Sequence, residues 1–170
     1  IGRPRKGNLM TEVQKAWKGM QTRCSDNKRS GSKIVWPTIR EFTPWFEANY
    51  VKGWELDKDL LVPGNTEYGP DTCRFIPSAL NAMQAYNIMS IKSASLHYGG
   101  YRARVRWKGK QITIGKYDTE QEAVYWMRRR KIQWVFESLP EFRVMGVCED
   151  LLSSVEQQMR KYAKEIGRAR

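Results

Sequence analysis

The stretch from Tyr101 to Ala123, YRARVRWKGKQITIGKYDTEQEA, decides how the chain folds. Its first seven residues alternate. Tyr101, Ala103, Val105 and Trp107 fall on one face of an extended strand, and Arg102, Arg104 and Arg106 on the other. Lys108-Gly109 supplies a tight hairpin turn after the strand, as Gly99-Gly100 does before it. Gln111-Ile112-Thr113-Ile114-Gly115 reads as the next strand. Thr119-Glu120-Gln121-Glu122 is a capping box, in which Thr119 caps a helix and Glu122 reaches back three residues. That helix is expected from about Glu120 to Ser138, with Ala123, Trp126 and Met127 inward, and it carries the run Arg128-Arg129-Arg130-Lys131. Residues 95–117 therefore predict a three-stranded antiparallel sheet packed on a helix.

Three arginines on one sheet face cannot all be buried without partners, so they face solvent or a polyanion. The 170 residues hold 30 Lys and Arg against 18 Asp and Glu, a net charge of +12, which favours a polyanion such as nucleic acid. Charge is unevenly spread: net +8 over residues 1–40, −3 over 41–97, +7 over 98–133 and zero over 134–170. A strand face fits the DNA major groove, where Arg bridges the O6 and N7 of guanine. Lys108, Lys110 and Lys116 would then reach phosphates, which position the sheet without carrying sequence information. A solvated sheet face is the plainer reading. The first residues, IGRPRKG, form a basic arm whose Gly2-Arg3-Pro4 resembles the core of an AT-hook. Such an arm lays Arg3 and Arg5 along a narrow minor groove. A solvated tail that adds non-specific affinity is the other reading.

Upstream, residues 53–65 read GWELDKDLLVPGN. On a short strand Asp57 and Asp59 would point the same way, with Lys58 opposite, before a Pro-Gly turn. Tyr68 to Pro77 reads as a turn and the second strand of a hairpin. Pro77 and Ser78 then start a helix through Asn87, packed by Ala79, Leu80 and Met83. The unit is strand, loop, strand, helix. Before it, Val13, Ala16, Trp17 and Met20 predict a helix from Thr11, its cap, to about Cys24. Residues 25–33 are a polar loop, and Phe42, Trp45, Phe46 and Tyr50 line a second short helix as core aromatics. A final helix over 149–166 steps through Leu152, Val155, Met159, Tyr162 and Ile166, with acidic residues at its start and basic ones at its end. Its stripe either docks on the protein's own body or joins a weak homodimer.

The expected class is α+β. The expected segments are a basic arm and helix (1–33), a strand–loop–strand–helix module (34–91), the sheet with its helix (92–139) and a C-terminal helix (140–170). Three scattered cysteines, Cys24, Cys73 and Cys148, argue against a disulfide framework and fit a reducing compartment. His97 is the only histidine and no C-x-x-C pair exists, which argues against structural zinc. No apolar run reaches membrane-spanning length and no signal peptide is visible. The expectation is a cytoplasmic protein with no membrane partner and no organic cofactor.

Residues 96–126, centred on Gly115-Lys116-Tyr117-Asp118-Thr119-Glu120-Gln121-Glu122-Ala123, resemble the APETALA/ethylene-response-factor DNA-binding domain. The resemblance implies three antiparallel strands on one helix, reading the major groove of double-stranded DNA with the sheet. It puts Arg102, Arg104, Arg106 and Trp107 on the strand that such domains use for contacts. The front half is similar to phage-type HNH homing endonucleases, to which that domain is often appended. The matching pieces are Trp17, Met20 and Arg23-Cys24, then Trp45, Leu56-Asp57-Lys58-Asp59 and Gly64-Asn65. Tyr68, Pro70, Cys73, Phe75, Pro77 and Asn81 follow in order.

That second resemblance implies a divalent cation, Mg²⁺ or another, on Asp57 and Asn81, both oxygen ligands. Lys58 stands where the family has its catalytic His, and a lysine is charged at neutral pH. Two routes to cutting follow. Asp59 would orient or deprotonate a metal-bound water, or Lys58 would stabilise charge on the transferring phosphate. The reading is a phage-type double-stranded DNA-binding protein, acting as an endonuclease or nickase. Its alternatives are a DNA-binding regulator or architectural protein that does not cut, and an RNA-binding or polymerase- or ribosome-associated protein.

Overall fold

A computed structural model describes residues 7–26, 31–83 and 85–168. The chain is α+β and divides at Ile76/Pro77 into two compact units. That division falls inside the stretch 34–91 expected as one module. The basic arm, with Arg3 and Arg5, lies outside the described residues.

In the first unit, helix α1 (Gly7–Asp26) and helix α2 (Ile39–Asn49) enclose an aromatic core. Val13, Met20, Phe42 and Phe46 are buried, and Trp36 and Phe42 meet edge to face at 5.0 Å. Each such buried side chain contributes about 1.5–3 kcal/mol relative to exposure. Helix α1 starts before Thr11, so Thr11 is inside the helix and not its cap. Two short strands, β1 (Lys33–Ile34) and β3 (Glu67–Tyr68), pair in parallel. Strand β2 (Trp54–Asp57) pairs with β4 (Arg74–Pro77) as the expected hairpin partners. Strand β2 ends at Asp57, however, so Asp57 and Asp59 do not alternate along one strand. The physical reason is local. Asp57 Oδ2 accepts the backbone N–H groups of Asp59 (2.9 Å) and Leu60 (2.8 Å), which folds the chain into a turn.

In the second unit the helix expected to run to Asn87 stops sooner, as α3 (Ser78–Ala82), followed by a 3-10 segment (Ala85–Ser90). Met83 N–H bonds to Leu80 O, the tightened i to i−3 pattern of a helix end. Leu80 and Met83 are buried as expected, whereas Ala79 is exposed. Strands β5 (Ser95–Leu96), β6 (Tyr101–Trp107) and β7 (Lys110–Tyr117) form the antiparallel sheet in the order β5-β6-β7. Its two turns hold Tyr98-Gly99 and Lys108-Gly109 at positive φ, the backbone of the tight hairpin turn. Helix α4 (Glu120–Val144) covers one face, through Ala103, Val105, Ala123 and Met127. Thr119 Oγ1 accepts Glu122 N–H at 3.2 Å, which is the cap half of the expected box.

Helix α4 continues past Ser138, through Pro140, because Leu139 and Phe142 are buried on its apolar side. It ends at Gly146, whose φ of 84° lets Val147 N–H reach back to Phe142 O at 3.0 Å. Helix α5 (Glu149–Arg168) packs on α4 and on the 3-10 segment, burying Leu151, Leu152, Val155, Met159 and Ile166. Of the stripe considered for a homodimer, Leu152, Val155, Met159 and Ile166 are thus covered within their own unit, and Tyr162 is half-buried. No helix among the described residues is long and apolar enough to cross a membrane.

Candidate nucleic-acid interface

The sheet has two unlike faces. Directly paired residues of neighbouring antiparallel strands point to the same side. Arg102 pairs with Ser95 and Lys116, Arg104 with Thr113, and Arg106 with Gln111. These seven side chains share the face turned away from α4, and all are exposed or half-buried. Ala103, Val105 and Trp107 form the opposite, buried face. Trp107 lies 5.3 Å from Trp134 of α4, so it is packing and not part of the arginine face. Lys110 pairs with Trp107 and also falls outside that face, although it is exposed. Lys108 sits in the hairpin turn, bonded to Glu141 at 3.0 Å.

Lys116 reaches the arginine face through an irregularity. Ala103 pairs with Gly115 but Arg104 pairs with Thr113, so Ile114 is an extra residue in β7. Strict alternation from Gln111 and Thr113 would turn Lys116 to the helix side. The bulge turns it back, opposite Arg102. Its ammonium donates to Tyr98 O and ties down the hairpin tip, where Tyr98 and Leu96 stand exposed. His97, in the same turn, is held below its ordinary range by local desolvation and by the charges of Arg102, Lys116 and Arg104. Ser95, Gln111 and Thr113 complete the face but were not singled out from the sequence. The alternation of Gln111-Ile112-Thr113 carried the signal for two of them.

The residues expected to cut form a hydrogen-bonded loop. Asp57 is 8% exposed and its carboxylate turns the backbone, while burial raises its pKa. Lys58 does not lie opposite the carboxylates. Its ammonium donates to Asp59 Oδ1 (2.5 Å) and Asn65 O (2.9 Å), and stands 5.5 Å from the centre of the Tyr68 ring. Asn65 secures the loop by donating to Lys58 O and Glu67 O and accepting Glu67 N–H. Arg23 Nε donates to the Tyr68 hydroxyl at 2.7 Å. Cys73 is fully buried, and burial pushes its thiol up to about 11, so it supplies no base.

A divalent cation needs several free oxygens around one point. Here one carboxylate is engaged by two backbone N–H groups and the next is neutralised by an ammonium. Asn81 belongs to the other compact unit. Among the described residues no group of three His, Cys, Asp or Glu could hold a metal ion. Lys58 places a positive charge beside Asp59.

Comparison with known protein families, curated proteins and solved structures gives no match to this chain.

Proposed function

We propose that this protein binds double-stranded DNA through the arginine face of the β5-β6-β7 sheet, without cutting it. The single observation behind this reading is the register that lines Arg102, Arg104 and Arg106 up with Ser95, Thr113, Gln111 and Lys116 on one face free of α4. Such a face combines donors able to read base edges with cations able to meet phosphates. The basic arm, with Arg3 and Arg5, would add non-specific affinity. The loop at Asp57, Lys58 and Asp59 serves the fold of the first unit in this reading, where Asp57 Oδ2 turns the backbone and Lys58 pairs with Asp59.

The test is Arg102→Ala, assayed on the best site recovered by selection from random duplexes and on bulk random DNA. A base-reading arginine costs about 1–3 kcal/mol of specific binding when removed. The expected result is a loss on the selected site well above the loss on random DNA. Equal losses would reduce Arg102 to a phosphate contact, and no loss on either would remove the sheet from the interface.

A further inference from the structure

The short strand β5 pairs only with Tyr101 and Arg102, so the edge of β6 from Ala103 onward has no strand beside it on that side. A cleft of about 410 Å³ opens there. Arg104, Arg106 and Lys108 line it from the sheet, Lys131 and Met127 from α4, and Ile91 from the segment before β5. Arg128 fixes that last wall, donating to Ile91 O at 2.7 Å. Among the described residues no carboxylate lines the cleft, although Lys108 also bonds to Glu141 outside it.

We infer that this cleft is a binding pocket for a phosphate group, held by the Lys131 ammonium and the Arg104 guanidinium. Two independent features point to an anion site. Lys131 is 7% exposed, on the apolar side of α4 between Met127 and Val135, and has no hydrogen-bond or ion-pair partner among the described residues. Arg104 Nε is buried with no acceptor, and its Nη2 has only a long bond to Ser95 Oγ at 3.4 Å. Burying the Arg104 N–H without a partner is costly, and Arg104, Arg106 and Lys131 repel each other round one cleft. An oxyanion relieves both, and phosphate offers enough acceptor oxygens for a lysine and an arginine together. Burial also holds Lys131 below its ordinary pKa, a shift that a bound oxyanion would oppose. The inference does not require that the sheet reads DNA, and Arg102, which tests the sheet, does not line the cleft.

The full chain is titrated with inorganic phosphate at constant ionic strength, with melting temperature as the readout. A saturable rise is expected in the native chain and in Lys161→Gln, an exposed control on α5. Lys131→Met should weaken the response about tenfold or more. Should that variant fail to fold, Arg104→Lys keeps the charge, removes Nε and should weaken the response likewise. No saturable rise in the native chain, or an unchanged midpoint in either pocket variant, overturns the pocket. Short duplexes with and without 5′-phosphates then identify the source. A preference for the phosphorylated duplex that Lys131→Met abolishes assigns a strand end. Equal weakening of both assigns an internal phosphodiester. A response to phosphate with neither duplex affected assigns a free phosphate compound.

Discussion

Asp57, expected as a metal ligand, also shapes the backbone of its own loop. Its carboxylate accepts two backbone N–H groups, of Asp59 and Leu60, at a point where only 8% of the residue is exposed. Burial raises its pKa above the ordinary 3.8, against the opposing pull of those bonds and of Lys58. The folded state therefore holds the proton more tightly than the unfolded chain does. The associated stability is fullest below the ordinary value and is lost as pH rises through the raised one. Asp57→Asn keeps an acceptor for both N–H groups and has no charge to desolvate. It should be at least as stable as the native chain at pH 7, with a flatter stability–pH curve between pH 4 and 7. Asp57→Ala leaves two buried donors without an acceptor and should lose about 1–3 kcal/mol. Urea unfolding across pH separates the two. On supercoiled plasmid with Mg²⁺ or Mn²⁺ the native chain should leave the DNA intact. Metal-dependent nicking lost in both variants would restore the endonuclease reading and give the carboxylate a second role.

The turn between α4 and α5 depends on Gly146, and the prediction there is about backbone alone. A Cβ at Gly146 meets nothing within 4 Å, yet its φ is 84°. Gly146→Ala should cost about 1 kcal/mol, the conformational penalty of an L-residue in the left-handed region. Gly100→Ala should cost more, since its Cβ would lie 2.8 Å from Tyr117 O, a backbone atom of β7. Equal midpoints in urea for the two variants would contradict this. Elements like these mark what a sequence discloses. The alternation of Tyr101 to Trp107 and the cap at Thr119 are local signals, and the three strands and α4 follow from them. The end of β2 at Asp57 was hidden because it turns on where a carboxylate bonds. Strand periodicity carries no such information. Likewise Arg128-Arg129-Arg130-Lys131 reads as one basic run. In the fold Arg128 bonds to Met89 and Ile91 carbonyls, Arg129 and Arg130 lie over Trp126 and Trp134, and Lys131 turns inward. The spacing of three and four that separates them was present. What was missing was knowledge that the sheet leaves a cleft beside that helix. The bulge at Ile114 was equally invisible, and it decides which face receives Lys116.

Across the molecule, charge is spread unevenly along the chain. Residues 98–133 carry net +7 and lie in the second unit, while 41–97, net −3, include the aspartate loop of the first. Binding of a polyanion by the sheet should then depend on the second unit's cations and hardly on those of the acidic segment. Each phosphate neutralised on duplex DNA contributes about 0.9 to the slope of log affinity against log salt. Lys116→Gln should make that slope shallower by about one unit. Lys52→Gln, exposed and within the acidic segment, should leave it unchanged. Competition between duplex DNA and duplex RNA completes the test. A sheet enters the wide major groove of DNA but not the deep, narrow one of A-form RNA. Duplex DNA should win by a margin that Arg102→Ala narrows. If RNA competes equally and the slope still falls with Lys116→Gln, the face meets phosphates without entering a groove. The ordered row of arginines would then be an electrostatic surface, and sequence recognition would have to come from elsewhere in the chain.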